Sequence, residues 1–196
     1  GDNTVTKIAA DLERCIDRNG DGVIQTSTGG DDVYPRAGID DLNGVPAGES
    51  TDECVLWTKR FAPEDCSGPR GLAASAETGE DFEYNGHLWL GCRDTSQIYK
   101  LNGNTGEIMQ HVGTFDKDHE HWVQPYGFVL DNKGHIWISS NWGDFGASGA
   151  FMLDTYTGEM YNLDFPYNDP DQSGTDMAWK PYGVAVDGEG HFWVAT

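Results

Sequence analysis

Basic residues are scarce: 12 Lys and Arg stand against 33 Asp and Glu, a formal net charge of −21. That shortage excludes nucleic acid and anionic membrane as partners, because both are held through Lys/Arg patches. It leaves a surface suited to divalent cations. No apolar run approaches membrane-spanning length, so no membrane insertion is expected. None of the four cysteines lies in a CxxC pair, which excludes zinc ribbons and thioredoxin-type redox centres. There is no GxSxG elbow, no HExxH pair, no phosphate-cradling Gly loop and no cysteine nucleophile with a paired His. The start, Gly1-Asp2-Asn3-Thr4, has no leader pattern and reads as a mature or trimmed end.

What the chain does have is glycine (26) and aromatics (Trp 7, Tyr 8, Phe 8), a composition suited to a turn-dense all-β protein. It also has a repeat. Lys180 to Thr196 reads KPYGVAVDGEGHFWVAT, and Gln124 to Ser140 reads QPYGFVLDNKGHIWISS. A looser copy runs from Gly68 to Cys92. Each carries Pro-x-Gly, alternating apolar residues, then Gly-His-apolar-Trp, ending on Trp89, Trp137 and Trp193. Pro starts a strand where no ladder donor is needed, and Gly allows close backbone packing. Asp131 to Gly134 and Asp187 to Gly190 are hairpin turns. His87, His135 and His191 follow the turn Gly in each copy, so they read as a packing or hydrogen-bonding feature of the repeat. Further strands follow at Gln97–Leu101 and Glu107–Val112, and again at Ala150–Asp154 and Glu159–Leu163. A motif recurring at roughly 40–50 residues in four-strand units predicts β-propeller blades.

On this reading blade one covers residues 69–113 and blade two residues 125–165. Blade three is split between the termini, with two strands in 181–196 and two at 3–9 and 53–60. The expectation is one propeller domain, or part of one, over residues 1–196, with residues 10–52 inserted as a loop excursion. Three blades are fewer than the usual 4–8. Self-association into a dimeric ring or a filament, or membership of a longer propeller, would supply the rest.

Within the insertion, Asp17, Asn19 and Asp21 occupy positions 1, 3 and 5 of a calcium loop. Gly22 provides the sharp turn, and the Val23 carbonyl fits position 7. The stretch resembles the calcium loops of EF-hands and dockerins. Position 12 is Thr28 rather than an acid, so Asp31 or Asp32 is expected to complete the site; Ca²⁺ is the expected cofactor. Cys15 and Cys54 bracket the insertion at one end of the sheets, and Cys66 and Cys92 lie at the other. This predicts Cys15–Cys54 and Cys66–Cys92 disulfides and an oxidising, extracellular or cell-surface location.

Two long connections carry the remaining polar chemistry. His119, His121 and Trp122 lie on one, and Asp176 and Trp179 on the other. Together they form a candidate ligand site on the top face. Beyond these residues, the PYGxxxDxxGHxW unit with its following TGE turn resembles blades of virginiamycin B lyase-like and NHL-type propellers. The resemblance covers most of residues 68–196 and about half of 1–67. It implies a central channel and, for the lyases, a catalytic His at the second position of Pro-x-Gly. Here those positions hold Arg70, Tyr126 and Tyr182, so no catalytic residue carries over. The function expected is a secreted, calcium-stabilised propeller module that binds a protein or glycan partner or builds an assembly at the cell surface. The enzyme alternative is a metal-dependent lyase or hydrolase using His119, His121 or Asp176 at the channel mouth.

Overall fold

The computed structural model describes residues 3–28, 52–75, 86–116, 121–140, 149–163 and 181–195, without the side chains of residues 115, 116, 121, 122 and 162. The chain divides into two compact units, Gly1–Ala62 and Pro63–Thr196.

In the first unit β1 (Thr4–Ile8) pairs antiparallel with β2 (Val55–Arg60). β1 is rich in β-branched residues, which pack well on a pleated surface, and β2 pairs it with Val55, Trp57 and Thr58. The Thr6 and Thr58 hydroxyls bond across the ladder at 3.1 Å. A single 3-10 turn, Leu12–Arg14, is capped by Asp11, whose side chain accepts from the Arg14 N–H. The expected Cys15–Cys54 disulfide is present, with its Cα atoms 4.4 Å apart.

In the second unit β3 (Pro69–Ser75), β4 (His87–Cys92), β5 (Gln97–Leu101) and β6 (Ile108–Gly113) form a four-stranded antiparallel sheet in chain order. A short ribbon of β7 (Phe115–Asp116) and β8 (His121–Trp122) follows. A second four-stranded sheet repeats the first, from β9 (Pro125–Leu130) and β10 (His135–Ser140) to β11 (Gly149–Asp154) and β12 (Met160–Leu163). The hairpin β13 (Val184–Val186) and β14 (Phe192–Val194) closes the series with two strands. The disulfide Cys66–Cys92, also as expected, ties the entry of β3 to the end of β4, with Cα atoms 5.0 Å apart.

The main core of this unit unites Trp89, Ile98, Val123, Ile136, Ile138, Phe151 and Leu153 from the two four-stranded sheets and the segment between them. Each such side chain contributes about 1.5–3 kcal/mol on full burial, so this seam dominates the unit's stability. Glycines let the sheets approach. A Cβ on Gly71 or Gly91 would run into the Phe128 ring. One on Gly127 would meet the Tyr182 carbonyl at 2.7 Å and Val184 Cγ2 at 3.4 Å.

The all-β content holds, but the propeller does not. Among the described residues the strands form five separate sheets of two or four strands, with no closed ring. The expected split blade is not formed among the described residues, where β1–β2 and β13–β14 are separate two-stranded sheets. A blade needs further strands paired to the edge of its hairpin, and among the described residues neither β1–β2 nor β13–β14 has them.

Candidate functional site

The loop read as a calcium site is closed by its own hydrogen bonds. The Asp17 carboxylate accepts from the Gly20 N–H at 2.7 Å and the Gly22 N–H at 2.9 Å. Asn19 Oδ1 accepts from the Asp21 N–H at 2.9 Å, and Asp21 Oδ1 from the Val23 N–H at 2.8 Å. The side-chain amides of Asn19 and Gln25 both donate to Asp21 Oδ2. These Asx bonds, led by the Val23 N–H, hold the Asp21 carboxyl below its ordinary pKa. The acid that organises the loop is one the sequence did not single out. Glu53, 2% exposed, accepts from the N–H groups of Arg18 at 2.8 Å, Asn19 at 3.4 Å and Gln25 at 3.0 Å. Its signal in the sequence was its place next to Cys54, whose disulfide returns it to the loop.

Among the described residues no group of three or more His, Cys, Asp or Glu is placed to hold a metal ion. Asp32 lies outside the described residues, as do His119, Asp176 and Trp179; of His121 and Trp122 only the backbone, in β8, is described. Neither the calcium-stabilised propeller module nor the metal-dependent lyase is supported: the sheets do not close, and no metal-holding group is found among the described residues.

The repeat histidines take part in a defined arrangement. Asp131 receives four N–H donors: Lys133 N at 2.8 Å, His135 N at 2.9 Å, His135 Nδ1 at 2.9 Å and Trp137 Nε1 at 3.0 Å. Asp187 receives the same four from Glu189 N, His191 N, His191 Nδ1 and Trp193 Nε1, at 2.9–3.0 Å. The turn glycines Gly134 and Gly190 sit at φ +87° and +88°, which brings each His back over its Asp. Burial pushes the Asp131 pKa up, but the four donors outweigh it and hold the carboxyl at about 2. Asp187 is also held well below the ordinary carboxylate range, first by the Trp193 indole N–H. An Asp–His pair can serve a general base. Here the aspartate is shared with an indole and two backbone amides, twice over, which marks a structural clasp.

The second residues of the three Pro-x-Gly copies form a column at one end of the sheets. The Arg70 guanidinium lies 5.9 Å from the centroid of the Tyr126 ring. The Tyr126 hydroxyl donates to that of Tyr182, and the two rings tilt together with centroids 4.5 Å apart. The bond to Tyr182 raises the Tyr126 pKa, while the positive charges of Arg70 and Arg93 act to lower it. The Cys66–Cys92 disulfide and the bond from the Arg93 N–H to the Gly68 carbonyl, 3.0 Å, fix β3 and β4 at this end, so both arginines face the same rim. Asp94 pairs with the Arg93 guanidinium at 2.6 Å. Two arginines beside two tyrosines are a local exception on a chain of net charge −21.

No protein-family model and no curated protein matches the chain. Among solved structures it is similar to a protein of unknown function from Bacteroides caccae, at 17% identity and a TM-score of 0.42. The match covers 76% of this chain and 44% of that one, so the chain spans less than half of that protein's length. At this identity and TM-score the likeness extends to neither family nor function. The resemblance to virginiamycin B lyase-like and NHL-type propellers is thereby corrected: the repeat motif is real, but no family model matches and the sheets do not close.

Proposed function

We propose that the chain is a non-catalytic, saccharide-binding protein of the extracellular space, with Arg70, Tyr126 and Tyr182 as its contact surface. The observation that carries this is the column itself, in which a guanidinium and two tyrosines share one rim. Tyrosine offers a flat apolar face with a polar tip, the combination that suits a sugar ring with its C–H face and rim of hydroxyls. A guanidinium adds donors in a fixed fork. The two disulfides agree with an oxidising compartment, and location outside the cell extends that reading. The engaged state of Asp131 and Asp187 assigns these two carboxylates to the fold.

Isothermal titration with a neutral and a uronate-bearing oligosaccharide tests the proposal. Saturable binding is expected with at least one of them, weakened about tenfold by Tyr182→Ala and by Arg70→Ala, a loss of about 1.4 kcal/mol each. Preference for the uronate-bearing probe would show that Arg70 outweighs the repulsion from the net negative charge. Absence of binding to both, or a Tyr182→Ala variant that binds like the parent, would overturn it.

A further inference from the structure

We infer that copies of this chain stack head to tail, the open face of β13–β14 in one copy receiving β3 of the next. The inference rests on an interface the molecule already makes twice within one unit. In the first sheet Gly71, Ala73, Trp89 and Gly91 share a face, and the Phe128 ring of the next sheet lies over Gly71 and Gly91. Trp89 is 1% exposed there. In the second sheet Gly127, Val129, Trp137 and Ser139 share the corresponding face. Val184 covers Gly127, and Phe192 stacks on Trp137 with centroids 5.0 Å apart.

The third copy of that face has no cover among the described residues. Gly183, Ala185, Trp193 and Ala195 are all exposed, Trp193 at 61%. A Cβ on Gly183 would meet only Ala195 Cβ of its own hairpin, at 3.8 Å. The residue that fills this seat in the two formed interfaces is the one after Pro-x-Gly: Phe128, then Val184. Its counterpart in the first sheet is Leu72, which is 51% exposed. Socket and knob are thus both present on one chain, and both are exposed among the described residues. A heterologous contact of this kind propagates into linear stacks unless its rotation closes a ring. The column at the rim agrees with this order. Arg70 lies against Tyr126 and Tyr126 against Tyr182, and the exposed Tyr182 would then face the Arg70 of the following copy. Uncovered indole beside three small residues is the kind of apolar surface that a second protein surface removes from water.

Sedimentation velocity from about 1 µM to about 500 µM, spanning weak to moderate association, reads this directly. The parent is expected to gain mass with concentration. Gly183→Glu blocks the socket and Leu72→Glu blocks the knob; both side chains would point into solvent in the single chain, so circular dichroism should match the parent. Each variant alone is expected to stay monomeric. An equimolar mixture retains one intact socket and one intact knob, so it is expected to form a 1:1 pair and nothing larger. A parent that stays monomeric throughout would overturn the inference, as would single variants that assemble like the parent. Because stacking would set Tyr182 against the next copy's Arg70, the saccharide titration is run on the monomeric Leu72→Glu variant at low concentration, so that failure of one proposal is distinguishable from failure of the other.

Discussion

Ser139 donates its hydroxyl hydrogen to the carbonyl of Tyr182 at 2.9 Å and with the same oxygen accepts from the Gly127 N–H at 2.9 Å. One fully buried hydroxyl therefore joins β9 to its partner β10 and fastens the terminal hairpin to both. Ser139→Ala removes this partner from the Gly127 N–H and the Tyr182 carbonyl, both part-buried bonds. The expected cost is about 1–3 kcal/mol, read as a lower urea midpoint. Amide hydrogen exchange is expected to accelerate first in β13–β14. An unchanged midpoint would show that the hairpin is held by apolar contact alone.

Gly127 and Gly183 occupy equivalent positions but should respond oppositely to a methyl group. At Gly127 the new Cβ would lie 2.7 Å from both Ser139 Oγ and the Tyr182 carbonyl oxygen. At Gly183 it has space. Gly127→Ala is expected to destabilise by about 1–3 kcal/mol through overpacking. Gly183→Ala should stay within about 0.5 kcal/mol at concentrations where the chain is monomeric. Equal effects in chemical denaturation would contradict the sheet-on-sheet contact.

How much of this could be read from the residues alone differs from place to place. Strand alternation and the Asp-x-x-Gly-His-x-Trp turn are local, so both four-stranded sheets and the terminal hairpin were legible. Cysteine position relative to the strands was enough to pair all four. Closure was not legible, because it depends on whether the tail's edge finds a partner strand, and no local pattern encodes that. Asp17, Asn19 and Asp21 had the spacing of a cation loop, yet the same spacing also suits Asx turns, and the decisive acid, Glu53, is remote in sequence. Asp131 and Asp187 were read only as turn formers. Their repeat at a fixed offset from His and Trp was the available signal for the clasp.

Acid should unfasten the clasps. Asp131 is held at about 2 in the folded chain against an ordinary 3.8. A carboxyl with a depressed folded pKa adds stability that is fully present above the unfolded value and lost as pH falls through the folded one. The melting temperature is therefore expected to drop between about pH 4 and pH 2. Asp21, Asp52, Asp154 and Asp187 are lowered too and share this limb. Asp131→Asn isolates one contribution: it should lower stability at neutral pH and flatten the acid limb. A parallel-shifted curve of unchanged slope would assign the limb to the other carboxylates.

Glu53 should matter more than any residue of the loop it supports. Glu53→Ala removes three backbone N–H bonds from a nearly buried carboxylate. The expected loss is about 3 kcal/mol, seen as early local opening of residues 16–26 by hydrogen exchange. The same loss is expected in chelator and in millimolar Ca²⁺, since the carboxylate acts by accepting N–H groups. A loss that appears only with Ca²⁺ present would return the ion to this loop.

Each aspartate clasp reaches only six positions along the chain, from Asp131 to Trp137 and from Asp187 to Trp193. A polar frame that closes over so short a span carries little loop-closure entropy. Hairpins of this kind can therefore assemble early and alone, and the slow part of folding becomes their docking onto one another. A two-stranded ribbon is marginal by itself, which makes the last hairpin the natural first element to detach and the last to anneal.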